Sequence, residues 1–429
     1  MRDKLQYILK ILAKLTIWRY KPLIIGVTGS VGKTSAKEAI YSVLKDKFRT
    51  RRNIKNYNNE IGVPLTVLGS YISPQTKFSG LLGWIKIFSI SLIKVIYQKN
   101  YPEVLVLELG VSKPGDMKYL MSFIPVEIGV FTAIGEFPSH IEFFPEKEKL
   151  VEEKSLLIKS LPKNGLAVLN YDDLSVRQAG RDLSDKIKTV YYGFGQGADL
   201  RIENYELKID DIEKEDFGIN FKIDHKGSFV PIRLMKVLGK HHVFSAAAAA
   251  SIGLFLDMNL VEIAEGLKDY YSLPGRMNLI KGIKKTLIID DTYNASPLSV
   301  ESALDILDEL KINSEKKSRK IAVLGDMMEL GAETEAGHRV VGKKASKIAD
   351  LIFTVGDRAR FISDEAKQNG FDGNKIFEFS KSEDAGLLIQ EKIEKGDIIL
   401  VKGSRYMRME KIIKEIMAEP EKADDLLIH

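Results

Sequence analysis

Cysteine is absent from the 429 residues. Disulfides and thiolate metal sites are therefore excluded, and the chain suits a reducing, cytoplasmic setting. A surplus of one charge is lacking too. Lys and Arg number 64 against 59 Asp and Glu, which leaves +5 with no long basic run. That balance does not point to a nucleic-acid partner. Internal repeats and low-complexity tracts are missing as well. What is present is ordinary for a globular chain, 45% apolar and 29% charged, and long enough for two or three domains.

The N-terminus does not read as a clear signal peptide. Lys4, Lys10, Lys14 and Arg19 are spread among apolar residues over 1–20. The spacing predicts an amphipathic helix with Leu5, Ile8, Leu9, Leu12 and Leu15 on one face. Residues 78–97 are apolar apart from Lys86, Lys94 and a few serines. Three readings are open there: a helix packed on the domain, a helix lying on a membrane surface, or a span. Two lysines inside the run count against the span.

Residues 22–28 are a short apolar run leading into Gly29-Ser30-Val31-Gly32-Lys33-Thr34, and an amphipathic stretch follows. The order is strand, glycine-rich turn, helix. Runs at 104–109, 126–133 and 166–170 read as buried parallel strands, and 199–237 as an antiparallel flap. An alanine-rich helix is expected over 245–256. Beyond Leu273-Pro274-Gly275, runs at 286–290, 320–324, 351–355 and 397–401 alternate with helical stretches. The expected fold is α/β: a central phosphate-loop domain with a mostly parallel sheet, then a smaller Rossmann-like α/β domain. The expected boundaries are 1–22 for the N-terminal helix, 23–273 for the central domain with an apolar insertion at about 70–101, and 274–429 for the C-terminal domain.

Thr28-Gly29-Ser30-Val31-Gly32-Lys33-Thr34 has the context of a phosphate loop. Backbone N–H groups of the turn and of the helix N-terminus would face phosphates. Lys33 would reach the outer phosphates, and the Thr34 hydroxyl would ligate Mg²⁺. The spacing departs from the strict Walker pattern, since Val27 stands where that pattern has glycine.

Thr-Gly-x-x-Gly-Lys-Thr resembles the variant loop of the Mur ligases. Further segments resemble the branch of that family that adds D-alanyl-D-alanine to a nucleotide-linked muramoyl tripeptide. They are 58–66 (Asn-Asn-Glu-Ile-Gly-Val-Pro-Leu-Thr), 108–116, 290–297, 322–331, and 401–405 with 407–411. The resemblance runs from Pro22 to about Lys414. It implies an ATP-dependent amide-bond ligase of cytoplasmic peptidoglycan precursor synthesis, working through an acyl phosphate. Its substrates would be small molecules, with no nucleic acid. A monomer is expected, with peripheral membrane contact through 78–97 as a further reading.

The resemblance also assigns roles. Glu108 would bind Mg²⁺ near the γ-phosphate, and His140 and Lys154 would hold a second Mg²⁺, Lys154 as its carbamate. Lys33, His140 and Lys154 form the implied catalytic set. Arg276, Asp291 and Asn294 would contact ATP, and Asn58 and Asn59 the substrate. Lys402, Ser404 and Arg405 would meet the carboxylate end of the incoming peptide, to which arginine is well suited. His338 reads as structural.

Several positions depart from the family pattern. The phosphate loop begins after about 25 residues, too few for the N-terminal domain that grips UDP in this branch. On this reading UDP recognition is lost, supplied by another chain, or taken over by about 70–101. His242 and Ser245 replace asparagines near the nucleotide, Ala133 replaces another, and Tyr406 replaces a glycine beside the expected peptide contacts. A Mur-type ligase for a different carboxylate, and a non-catalytic ATP-binding scaffold, are the alternatives.

Overall fold

The computed structural model describes residues 2–54, 57–70, 81–212, 214–311 and 318–428. Part of the segment 70–101, residues 71–80, therefore lies outside the described residues, including the start of the apolar run at 78.

Two sheets organise the chain. The first is built from β1 (Leu23–Thr28), β2 (Thr50–Arg52), β3 (Val104–Glu108), β4 (Ile128–Phe131), β5 (Leu166–Asn170), β6 (Lys188–Gly193), β7 (Leu200–Asp211), β8 (Asp216–His225) and β9 (Ser228–Met235). Its order is β2-β3-β1-β4-β5-β6-β7-β8-β9. Pairing is parallel from β2 through to β7, and β7, β8 and β9 form an antiparallel meander. The central strands read as continuous apolar runs because helices cover both faces. Ile25, Val27, Val106 and Val130 face one core, and Ile24, Leu105, Leu107 and Phe131 the other.

The second sheet comprises β10 (Asn278–Lys281), β11 (Leu287–Asp291), β12 (Lys320–Gly325), β13 (Leu351–Val355), β14 (Ile376–Phe379) and β15 (Ile398–Lys402). Its order is β10-β11-β15-β12-β13-β14, parallel except for the edge strand β10. The expected α/β architecture is what the structure has. Strands β2, β6, β10 and β14 are additions to the sequence reading. Each is short or partly exposed and so carries little hydrophobic signal.

Helices α1 (Arg2–Tyr20), α2 (Lys33–Leu44), α3 (Gly62–Leu68), α4 (Leu81–Tyr97), α5 (Asp116–Met121), α6 (Lys147–Lys159), α7 (Leu174–Arg181) and α8 (Lys240–Phe255) surround the first sheet. Alanines 246–250 of α8 are all fully buried beside α2. Their small side chains let two helices approach closely over the sheet. Helix α1 differs from its expected orientation. Leu9, Leu12, Ala13, Thr16 and Ile17 are buried, whereas Ile8 and Leu15 point outward. Apolar residues lie on both sides of this helix, so the period alone did not tell which side packs. Among the described residues, no helix is long and apolar enough to cross a membrane.

His338 is fully buried on the helix Thr334–Ile348. Its Nε2 accepts from the Met327 N–H at 3.0 Å, and Nδ1 meets the Thr334 carbonyl at 2.6 Å. That pattern requires a neutral ring with the proton on Nδ1, and burial pushes its pKa down to about 4. A histidine pKa depressed on folding contributes stability above the unfolded value near 6.5, and that stability fades as pH falls toward the folded value. Acidification from about pH 6.5 to about pH 4 should therefore cost on the order of 3 kcal/mol at this site. Urea midpoints measured across that window should fall more steeply for the wild type than for His338→Asn.

Candidate active site

Strand β1 ends at Thr28, and the chain turns through Gly29 (φ 146°) and Gly32 (φ 85°) into α2. At Gly29 glycine is required twice over. The backbone angle disfavours other residues, and a Cβ there would stand 2.1 Å from the Thr132 hydroxyl oxygen. That hydroxyl is within hydrogen-bond distance of the carbonyls of Thr28 (3.1 Å) and Val31 (2.6 Å), which pins the turn against β4. The N–H groups of Ser30 and Val31 donate to the Ala133 carbonyl at 2.6 and 3.2 Å. These two amides are therefore used within the protein. The first-turn amides of α2, from Lys33 onward, have no partner within the helix and open an anion site.

Glu108 closes strand β3 beside this loop and is only 4% exposed. Its carboxylate accepts from Thr34 Oγ1 and from Asn58 Nδ2, each at 2.9 Å. The Asn53 side chain brackets its backbone, accepting from the Glu108 N–H and donating to its carbonyl. Burial opposes ionisation, but Lys37, Lys33, the Asn58 amide and Arg276 together hold the pKa below the ordinary carboxylate value. Asn53 and Lys37, both fully buried, were missed in the sequence because nothing local distinguishes them from solvated residues.

Two lysines converge on one carbonyl. Lys33 Nζ donates to Gly29 O at 2.9 Å and Ser30 O at 3.3 Å, and Lys154 Nζ donates to Gly29 O at 3.2 Å. Lys154 sits on α6 and is fully buried, although Glu152 and Glu153 beside it read as a solvated face. Burial pushes its pKa well below the ordinary lysine value, and Lys33 adds to that, with Asp116 and Glu153 opposing. Burial lowers Lys33 too, with Arg276 contributing and Glu108 opposing.

The second sheet faces this loop across a cleft of about 820 Å³. Of the expected site residues, the cleft is lined by Ser30, Val31, Gly32, Lys33, Thr34, Asn58, Asn59, Glu108, His140, Arg276, Asp291, Asn294 and Lys402. Arg276 reaches across and donates from Nη2 to Thr34 Oγ1 at 3.0 Å, its guanidinium stacked over Tyr293. Lys402 pairs with Asp291 at 2.6 Å and donates to Asn294 O at 2.8 Å. His140 faces Glu329 of the other domain, Nδ1 to Oε2 at 2.7 Å. Glu329 lies in the segment 322–331 already marked as a motif, but its role depends on which loop the second domain presents.

Five expected residues do not line the cleft. Thr28 and Gly29 lie beneath the loop, and Lys154 is behind it. The Ser404 hydroxyl accepts from the Met328 N–H, and Arg405 faces Glu410 at 3.6 Å. Tyr406 is 80% exposed, so its ring stands in solvent. On the far side of the loop a second cavity of about 490 Å³ shares Val31, Gly32 and His241 with the cleft. Ala36, Ala133, Phe244 and Ser245 add to its walls. His242 is not among them; it is buried, with Nδ1 2.5 Å from the Tyr270 hydroxyl.

The donor chemistry at the loop fits Mg²⁺. Thr34 Oγ1 and Glu108 Oε2 are hard oxygens 2.9 Å apart, about the separation of neighbouring ligands in an octahedron with bonds of about 2.1 Å. His140 and Lys154 are bonded to different partners, and among the described residues no three His, Asp or Glu side chains gather into a metal cluster.

A phosphate loop on one α/β domain, faced by cations and carboxylates of a second, defines a two-domain nucleotide-dependent enzyme. The chain belongs to the Mur ligase family. Its residues 27–71 and 88–253 match the Mur ligase middle domain, and 275–405 match the Mur ligase glutamate ligase domain. It is 32% identical over 413 residues to the UDP-N-acetylmuramoyl-tripeptide–D-alanyl-D-alanine ligase of Bacillus subtilis, covering 95% of this chain and 79% of that one. The enzyme of the same name from Escherichia coli is 27% identical, covering 92% and 76%. The fold is that of MurF from Acinetobacter baumannii (TM-score 0.75, 24% identity, 95% and 79% covered). It is also that of the MurF ligase of Thermotoga maritima, determined with ADP (TM-score 0.75, 24% identity, 97% and 84% covered).

Gly29→Ala should weaken binding of a fluorescent ATP analogue by more than about tenfold, because both the backbone strain and the Thr132 clash displace the loop. Near wild-type affinity in that titration would show that the turn tolerates a side chain.

Proposed function

We propose that the protein is an ATP-dependent ligase of peptidoglycan precursor synthesis that joins D-alanyl-D-alanine to UDP-N-acetylmuramoyl tripeptide. The observation that carries this reading is the Thr34–Glu108 pair at the phosphate loop, capped from the second domain by Arg276. The names of the relatives from B. subtilis and E. coli support the substrate pair. Both domains of the cleft come from one chain, which favours a monomer. ATP and nucleotide-linked precursors as substrates suit a cytoplasmic location.

The chemistry follows from the residues. Amides at the start of α2 and the Lys33 ammonium hold the outer phosphates and stabilise charge on the transferred phosphoryl group. The substrate carboxylate takes the γ-phosphoryl to give an acyl phosphate and ADP. The amine of the dipeptide then attacks the acyl carbon and expels phosphate. Arg276 and Glu329, both reaching into the central domain, hold the cleft shut while the anhydride exists, and so keep water from it. The second cavity, partly apolar and continuous with the loop, suits the nucleoside. Lys402, held against Asp291, is a cation in the cleft suited to meet a peptide carboxylate.

Thr34 and Glu108 would hold Mg²⁺, which when bound supplies neutralisation of phosphate charge. Lys154 is proposed to react with CO₂. Burial favours its neutral amine, the nucleophilic form, and the resulting carbamate offers oxygen donors where an ammonium would repel a cation. His140 would join it at a second ion on release from Glu329.

Mass spectrometry of products from ATP, Mg²⁺, bicarbonate, UDP-muramoyl tripeptide and D-alanyl-D-alanine should show the pentapeptide with matching phosphate release. ATP binding without product would refute the substrate assignment. Lys154→Ala should abolish turnover with the fold intact by circular dichroism, and added bicarbonate should not restore it. Wild-type turnover in that variant would remove the second metal site.

A further inference from the structure

Helix α1 is apolar on two opposite sides. Leu9, Leu12, Ala13 and Ile17 are buried against the domain, and Leu9 and Leu12 share a cluster with Leu65 and Leu68 of α3 and Val95 of α4. The opposite side carries Tyr7, Ile8, Ile11, Leu15 and Trp18, which are 39 to 73% exposed. At about 100° per residue these five fall within an arc of about 100°, so they form one continuous stripe along the helix. An apolar helix normally has both sides covered, and an exposed stripe of this kind marks a contact surface.

Charge decides what covers it. Lys4 and Lys14 are exposed with the stripe, and Asp3 is the only acidic residue between positions 1 and 45 apart from Glu38. Helix α4 packs alongside, with Tyr20 donating its hydroxyl to carbonyls of Lys94 and Val95. It adds exposed Ile90, Leu92, Ile93 and Tyr97, and its sequence contains no Asp or Glu. A second copy of the chain docked through a two-fold axis would set this basic face against itself. An anionic bilayer meets both needs: lipid tails cover the stripe and headgroups pair with the lysines. Exposed Trp18, Tyr7 and Tyr97 are of the residue types that settle at that boundary.

We propose that the outer face of α1, extended by α4, seats the protein on an anionic phospholipid surface. The helix lies flat on it rather than crossing it. The same helix touches the substrate cleft, since Gln6 lines the cleft and donates to Glu60 at 3.1 Å. Seating on lipid would therefore hold the cleft mouth near the membrane.

Vesicle flotation of the full chain tests this by a binding readout that does not depend on ligase activity. Protein should float with mixed phosphatidylglycerol–phosphatidylcholine vesicles at low salt and stay behind with phosphatidylcholine alone. Leu15→Glu with Trp18→Glu should reduce the floated fraction more than about tenfold, and Lys4→Glu with Lys14→Glu should abolish flotation with the anionic vesicles. All four side chains are exposed, so circular dichroism should be unchanged. Protein that stays unfloated with the mixed vesicles, or floats equally well in the Leu15→Glu/Trp18→Glu variant, overturns the proposal. So does a dimer in light scattering that this variant dissociates, because the stripe would then belong to a second copy.

Discussion

The Glu108 carboxylate is the point on which the site depends. One oxygen takes the hydroxyl of Thr34, at the start of α2, and the other takes the amide of Asn58. Through Thr34 the same contact reaches Arg276 of the second domain. A buried carboxylate is costly unless cations and hydrogen bonds surround it. Here they come from the loop, from the segment after it, and from across the cleft. Together they hold its pKa below the ordinary carboxylate value although burial opposes the charge.

The surrounding cations make the complementary case. Lys33 and Lys154 share the Gly29 carbonyl, and among the described residues no carboxylate lies in direct contact with either. Two buried amines side by side favour an anion between them or the loss of a proton from one. The first is what a triphosphate supplies to Lys33. The second is what burial favours at Lys154, by lowering its pKa, and the proposed carbamate would need that neutral amine. The domains meet at the same place, with Arg276 on Thr34 and Glu329 on His140. Closure and charge placement are therefore one arrangement.

Much of this was legible in the sequence, for physical reasons that differ by residue. The phosphate loop was readable because Gly29 and Gly32 must occupy backbone angles that other residues avoid. Glu108 was readable because it ends an apolar strand, where α/β sheets place ligands. Lys154 was marked by its motif alone, yet its burial has a local signature: it shares one side of α6 with Leu150, Leu157 and Ile158. Glu329 and Asn53 were not readable, since the groups they meet, His140 and the Glu108 backbone, come from other parts of the chain. Ser404 and Arg405 were marked as substrate contacts by the resemblance, and in the structure the Ser404 hydroxyl accepts from the Met328 N–H while Arg405 faces Glu410. The side on which α1 packs was ambiguous because both of its sides are apolar.

In the proposed ligase the cleft activates a carboxylate by phosphoryl transfer. The most direct measurement uses UDP-muramoyl tripeptide with its terminal carboxylate labelled with heavy oxygen, followed by mass analysis of the inorganic phosphate released. An acyl phosphate requires one labelled oxygen to leave with the phosphate, and labelled phosphate in step with product is the predicted result. Product formed with unlabelled phosphate would contradict the account, because the carboxylate would not have been the acceptor of the phosphoryl group.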